Sequence, residues 1–142
     1  MPLTTADRLE IIELFARYAR ATDGVDAVAR ADVFTDDGVF DASSGTPLRG
    51  RAELLNAHRP DNAADLRHWV NNTLIEGDGD TARATTYLAV FDTGESTARP
   101  PGIWVTGVYY DTLRKVDSRW KFAYRNFVRD DLRGERTVGH LL

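Results

Sequence analysis

Four long segments of alternating apolar and polar residues fill the second half of the chain, and they constrain its fold more than any other feature. Alternation with a period of two is typical of half-buried strands. The turns DGD and VDSR predict that neighbouring segments form antiparallel hairpins. We therefore expect a long antiparallel meander built from RHWVNNTLIEG (67–77), TARATTYLAVFD (81–92), GIWVTGVYYDTLRKV (102–116) and RWKFAYRNFVRDDL (119–132).

The first half of the chain predicts helices. Residues 5–22 contain no Gly or Pro, and Gly24 supplies a stop. Shorter helical segments are expected at about 26–34 and 51–58, and a short strand at 36–41. Helices followed by a meander predict an α+β fold, in which a curved antiparallel sheet wraps on the N-terminal helices. Such a sheet leaves a cone whose mouth can bind a small apolar ligand.

Composition limits the classes of protein that this chain can represent. A length of 142 residues with 42% hydrophobic and 28% charged residues fits a single domain over residues 1–142. No cysteine is present, which excludes disulfides and thiolate sites. A net charge of −4 with scattered arginines argues against a nucleic-acid partner. We see no signal peptide or membrane-spanning run, so a cytoplasmic location is expected.

His68 is the histidine that most needs an explanation. His58 lies in a polar stretch and His140 near the C-terminus, and we expect both to be solvated surface side chains. His68 opens a strand, where alternation would place it on one face with Val70, Asn72 and Leu74. A polar group on a pocket face needs a partner, so His68 is a structural, hydrogen-bonded histidine or a general base.

Asp23 is the best candidate partner for His68. It lies at the C-terminal end of the first helix, where the helix dipole disfavours a carboxylate. An ordinary Asp-Gly turn with Gly24 would explain it equally well from local sequence. An aspartate that accepts a hydrogen bond from one ring nitrogen, however, fixes the tautomer and leaves the other nitrogen as a base.

Two further side chains are candidates for catalysis. Tyr18 can polarise a carbonyl or protonate a leaving hydroxyl, or it can be an amphipathic core tyrosine. Arg125 can hold a carboxylate or stabilise an anionic intermediate, or it can form a salt bridge with Asp111 or another acidic residue of the neighbouring strand. Both alternatives remain open for each residue.

These residues resemble a known family. A helix with Tyr18 and Asp23, a strand that opens with His68, and the segments GDGDTARA, GVYYD and RWKFAYR resemble the SnoaL-like group of the nuclear transport factor 2-like superfamily, over about residues 5–131. The pattern is most similar to the branch of scytalone dehydratase, bile acid dehydratase and hexachlorocyclohexane dehydrochlorinase. These enzymes are cofactor-free lyases with an Asp-His base in a cone-shaped fold.

The resemblance implies roles for individual residues. It places the dyad on Asp23 and His68, the tyrosine on Tyr18 and the final-strand arginine on Arg125. The second histidine of scytalone dehydratases is absent, and Asp92 is a possible match for an aspartate of bile acid dehydratases. The dehydrochlorinase has a lysine where this chain has Tyr18, which favours elimination of water over halide. The candidate substrate-binding residues are Trp69, Val70, Asn72, Phe91, Asp92, Trp104 and Tyr109.

The combined prediction is a cofactor-independent dehydratase that acts on a cyclic, mostly apolar substrate. The same base could serve an isomerase or a polyketide-type cyclase, and the fold could also be a non-catalytic binding module. We expect no metal site, no cofactor, and neither nucleic acid nor membrane as a partner. The resemblance further implies a homo-oligomer, a dimer or trimer, and the loop at 93–102 is a candidate lid.

Overall fold

The computed structural model describes residues 1–42, 45–96 and 100–132. Short 3-10 turns occur at Ala63–Asp65 and Asp130–Leu132. No helix among the described residues is long and apolar enough to span a membrane. The main elements, in chain order, are α1 (Thr5–Asp23), α2 (Ala27–Asp32), β1 (Phe34–Ala42), β2 (Leu48–Arg49), α3 (Gly50–Leu55), β3 (Leu66–Asp78), β4 (Thr81–Asp92), β5 (Gly102–Val116) and β6 (Arg119–Arg129).

The strands form one curved sheet that does not close into a barrel, in the order β2-β1-β6-β5-β4-β3. The predicted α+β class is confirmed, and β3 to β6 are joined as consecutive antiparallel pairs. The sheet is mixed rather than purely antiparallel, because β1 runs parallel to β6, with Phe40 opposite Arg125. These strands are far apart in the chain, and hairpin turns give no information about such a pairing.

Helix α1 closes the concave face of the sheet. Its start is fixed by Thr4, whose hydroxyl accepts from the backbone N–H of Asp7 at 3.1 Å, while the Asp7 carboxylate accepts from the Thr4 backbone at 3.0 Å. The inner side of α1 buries a row of large side chains against the sheet. Phe15 of that row packs on Phe122 of β6, with ring centroids 5.5 Å apart. The C-terminal end of α1 is thereby held over the sheet next to β3.

A bulge in β3 changes which residues of that strand face the helices. The register with β4 shifts between Asn71 and Leu74, and Asn72 has a φ of 53°. Before the bulge His68 faces inward, whereas beyond it Leu74 is exposed. The bulge therefore interrupts the alternation in the middle of β3. As a result, His68 and Leu74 do not lie on the same face of the sheet, although they are an even number of positions apart in the chain.

Candidate active site

Asp23 and His68 form the central contact of the candidate site. Asp23 is the last residue of α1, before the C-cap Gly24, and His68 lies near the start of β3. Nδ1 of the His68 ring lies 2.6 Å from Oδ1 of Asp23. The backbone N–H of His68 also donates to Oδ1 and Oδ2 of Asp23, at 3.2 and 3.1 Å. The carboxylate thus fixes both the ring and the backbone of His68.

This contact determines which ring nitrogen is available for chemistry. An ionised carboxylate only accepts hydrogen bonds, so the neutral His68 ring carries its proton on Nδ1. Nε2 is then an unprotonated acceptor. The His68 side chain is 12% exposed and that of Asp23 16%, which leaves the pair largely shielded from solvent. The arrangement suits a general base oriented by a carboxylate.

His68 lines a cavity of about 350 Å³ between the helices and the concave face of the sheet. Asp23 is not part of the lining, and it therefore lies behind the His68 ring as seen from the cavity. A cavity of this volume can enclose a small cyclic ligand. Its wall is mostly apolar, with contributions from Phe34, Phe40, Leu54, Leu66, Leu88 and Val90.

Tyr18 lies in the same cavity, one helical turn and a half before Asp23. Burial raises the pKa of its phenol, against the opposing effect of Arg125, Arg30 and the nearby Thr22 hydroxyl. Thr22 Oγ1 itself is buried and has no hydrogen-bond partner among the described residues. Tyr18 is therefore a neutral phenol at the cavity wall, able to donate a hydrogen bond.

Arg125 does not line the cavity. Of its two predicted roles, the structure shows the salt bridge. Its guanidinium is fully buried and binds Asp111 of β5 through two hydrogen bonds of 2.9 Å each. Its central carbon lies 3.7 Å from the centroid of the Tyr109 ring and 4.4 Å from that of Tyr18. Arg125 therefore supports the aromatic cavity wall from behind and is not placed to touch a substrate.

Two other arginines do reach the cavity, and sequence reasoning missed both. Arg30 of α2 is 7% exposed and donates from Nη2 to the carbonyl oxygen of Leu54 at 3.0 Å. Arg59, after α3, donates to the carbonyl oxygen of Thr22. Burial and the charge of Arg30 lower the pKa of Arg59. No local motif marks these residues, because they converge only when α2 and the segment after α3 pack together.

Of the four aromatic residues predicted to bind substrate, two line the cavity and two lie on the outer face of the sheet. Trp104 and Tyr109 line the cavity. Trp69 and Phe91 pack against each other on the outer sheet face, with ring centroids 4.6 Å apart and the rings tilted by 48°. They alternate with the inward residues His68 and Val90. The prediction that both line the pocket is therefore not met.

Three more candidates lie away from the cavity wall. Asn72 is exposed because it occupies the bulge of β3, and Val70 is half-buried along a shallow groove beside α1. Asp92 is buried, but its oxygens accept from the side-chain amide of Asn62 at 2.9 Å and the backbone N–H of Gly94 at 2.8 Å. Asp92 thus ties the loop after β4 to the segment before β3, a structural role.

The histidines predicted to be on the surface differ in position. His58 is exposed, yet it lies at the cavity mouth. His140 lies outside the described residues, as do residues 97–99 of the candidate lid. Within the described ranges, no cluster of three or more acidic or histidine side chains has a spacing suitable for a metal ion.

The chain is similar to a known domain family and to several solved structures. A family model described as a SnoaL-like domain matches residues 4–126. No curated protein matches the chain. A protein of unknown function with a cystatin-like fold from Nostoc punctiforme is 28% identical with a TM-score of 0.82, over 92% of this chain and 96% of that one.

Two further solved structures are similar over most of their length. A function-unknown protein from Mycobacterium tuberculosis is 31% identical with a TM-score of 0.76, over 96% of this chain and 76% of that one. An NTF2-like protein with a cystatin-like fold from Novosphingobium aromaticivorans is 27% identical with a TM-score of 0.78, over 89% of this chain and 83% of that one. The similarity thus extends over the helices and the sheet together.

Proposed function

The chain belongs to the SnoaL-like domain family, a family that includes cyclases and dehydratases, and on this premise we propose that it is a cofactor-independent lyase of the dehydratase type. The observation that carries the proposal is the 2.6 Å contact between His68 and Asp23, with the His68 ring on the wall of a mostly apolar cavity. The substrate is a cyclic compound with a hydroxyl group β to a carbonyl. The resemblance to the dehydratase branch supports the same reaction class.

His68 acts first as a base and then as an acid. Nε2 takes the proton from the carbon next to the carbonyl, and the electron pair of that C–H bond is delocalised into the carbonyl as an enolate. When the enolate collapses, a C=C bond forms and the C–O bond to the hydroxyl breaks. The imidazolium returns its proton to the leaving hydroxyl, so that water is released and His68 is neutral again. Asp23 stabilises the intervening imidazolium.

Tyr18 is the residue that contacts the carbonyl. Its neutral phenol donates a hydrogen bond to the carbonyl oxygen, which becomes stronger as negative charge develops in the enolate. The Arg125 guanidinium, whose charge is compensated by Asp111, packs behind the rings of Tyr18 and Tyr109. Its contribution to the reaction is indirect, through the position and electrostatic surroundings of Tyr18.

The test uses a panel of hydroxylated cyclic ketones, with the loss of water followed by mass spectrometry. We expect His68→Ala and Asp23→Asn each to lower turnover by at least ~100-fold, the scale of a lost general base. Asp26→Asn is the matched control, because Asp26 lies close to Asp23 in the chain but caps α2 instead of binding His68. Its turnover should equal that of the wild type.

Each other outcome points to a different function. Full turnover in the His68 or Asp23 variant would reject the dyad as the base. Products of unchanged mass that depend on His68 would make the enzyme an isomerase or a cyclase, since these reactions begin with the same proton abstraction. Ligand binding without turnover of any panel member would favour a non-catalytic binding module.

A further inference from the structure

The cavity contains positive charge that the proposed dehydration does not use. Arg30 and Arg59 both line it, and Arg30 is almost fully buried. The buried charge is stable only when paired or well hydrogen-bonded. Each guanidinium donates to one carbonyl oxygen, of Leu54 and Thr22 respectively. A guanidinium has five N–H donors, so most of the donors of both side chains remain available.

The acidic side chains around these arginines have other partners. Asp32 of α2 pairs with Arg51 at 2.7 Å. Asp23 lies close enough to Arg59 to attract it, but its oxygens accept from the ring and backbone of His68. Among the described residues neither arginine forms an ion pair with a carboxylate. The two positive charges therefore repel each other, and within the described part of the chain only the more distant charge of Asp23 opposes this repulsion.

A second observation at the same end of the cavity also points to a ligand. Thr22 lines the cavity, is 8% exposed, and its Oγ1 atom is buried with no hydrogen-bond partner among the residues that the structure describes. Buried hydroxyls are nearly always hydrogen-bonded, so a small rotation of the Thr22 side chain towards the cavity would give this hydroxyl a partner in a bound group. Because Arg59 is anchored on the Thr22 carbonyl, the hydroxyl and the guanidinium belong to one local arrangement.

We propose that Arg30, Arg59 and Thr22 form a subsite for a carboxylate of the substrate. The planar guanidinium groups match the two oxygens of a carboxylate, and Thr22 Oγ1 supplies a further donor. The apolar ring of the substrate lies against Leu66, Leu88 and Val90, within the same cavity as the His68 ring. The substrate class is therefore a cyclic hydroxy ketone that also carries one carboxylate. This specification of the substrate rests on the proposed function, but the binding subsite is testable without turnover.

The experiment compares two probes of nearly equal shape, 1-naphthoate and the uncharged 1-naphthamide, by calorimetry on the whole chain. We expect the wild type to bind the carboxylate about tenfold or more tightly than the amide, as for a hydrogen-bonded charge. Arg59→Gln should abolish this preference, and Arg59→Lys should retain part of it. Arg17→Gln, a change of an exposed arginine on α1, is the control and should leave it unchanged.

Further variants separate this inference from the proposed function. His68→Asn should keep the preference for naphthoate, since His68 is not part of the carboxylate subsite, even though turnover is lost. Arg30→Gln tests the buried arginine. If this variant does not fold, the variants of Arg59, which is less buried, still test the subsite. An unchanged preference in Arg59→Gln, or no binding of naphthoate to the wild type, would overturn the subsite. Neither result would bear on the His68 base.

Discussion

Tyr18 illustrates how burial determines the chemical form of a single residue. Its phenol has a raised pKa because burial disfavours the phenolate. We expect Tyr18→Phe to lower turnover by about 10- to 100-fold through loss of the hydrogen bond to the carbonyl. The loss should be the same from pH 7 to about pH 9.5, because a phenol with a pKa above 10 does not ionise in that range. A pH–rate profile of both proteins measures this.

The same shift has a consequence for stability at high pH. The Tyr18 phenol ionises near pH 10 in the unfolded chain but only above that pH in the folded chain. The burial of the neutral phenol therefore contributes its full stability below pH 10, and this contribution is lost as the pH rises further. Tyr18→Phe should therefore reduce the alkaline loss of stability. Tyr87→Phe, at an exposed position of β4, is the control and should show the wild-type behaviour. For the reaction, a loss of turnover in Tyr18→Phe that disappears below pH 9 would contradict the role of Tyr18 as a neutral hydrogen-bond donor.

Arg125 and Asp111 form a pair whose members depend on each other. Both side chains are fully buried, so removing one leaves the other charge without compensation. We expect Arg125→Met to lower the free energy of unfolding by about 3–5 kcal/mol, measured by urea denaturation. The double change Arg125→Met with Asp111→Leu should recover much of that loss, because no unpaired charge remains. A loss below about 1 kcal/mol in the single variant would contradict this account.

At the scale of elements, the start of α1 is tied to the β5–β6 hairpin through Asp7. Its carboxylate accepts from Lys115 Nζ at 2.7 Å and from Trp120 Nε1 at 2.9 Å, in addition to its contacts with Thr4. Lys115, followed by Thr4 and Trp120, holds the pKa of Asp7 well below its usual range. The ionised Asp7 carboxylate therefore stabilises the folded state above about pH 4, and this stabilisation is lost as the pH falls below that value.

Asp7→Asn tests this link between the helix and the sheet. The variant should be less stable than the wild type at pH 7, and the difference in melting temperature should shrink as the pH is lowered from 4 to 2. Glu13→Gln serves as the control, since Glu13 forms an exposed pair with Arg17 on the same helix and should matter little at any pH. A difference that does not change between pH 7 and pH 2 would show that Asp7 stabilises α1 without its charge.

At the scale of the whole molecule, the outer sheet face carries an apolar patch. It consists of Trp69, Tyr87, Phe91 and Ile103 on the neighbouring strands β3, β4 and β5, and the exposed fractions of Trp69 and Ile103 are 63% and 64%. Patches of this kind often mark association surfaces. Together with the family resemblance, the patch leads us to expect a homo-oligomer, a dimer or trimer, that buries this face.

Light scattering tests this prediction, because it measures the molecular mass of the protein in solution. Trp69→Glu should shift the wild-type oligomer towards monomer, because a charge in an apolar interface costs desolvation. Leu9→Glu changes a comparably exposed apolar side chain on α1 and should leave the mass unchanged. A monomeric wild type, or an equal effect of both substitutions, would reject the patch as the interface.

Much of the fold was predictable because the relevant signals are local. The helix at residues 5–22 and the four strand segments follow from caps, turns and periodicity within short windows, and α1 and β3 to β6 occur where they were predicted. The parallel pairing of β1 with β6 was not predictable in this way. It joins strands separated by most of the chain, and no turn signal specifies it.

The sequence by itself determined α1, the four long strands and the family, because capping, alternation and a motif that spans the chain are written in residue order. The contact between Asp23 and His68 was predicted through the resemblance to that family. Only the tertiary structure decided which side chains reach the cavity. A bulge in β3 exposed Asn72, the pairing of β5 with β6 buried Arg125 against Asp111, and the packing of α2 and α3 brought Arg30 and Arg59 together. These outcomes depend on distances between segments remote in the chain, which no local pattern encodes.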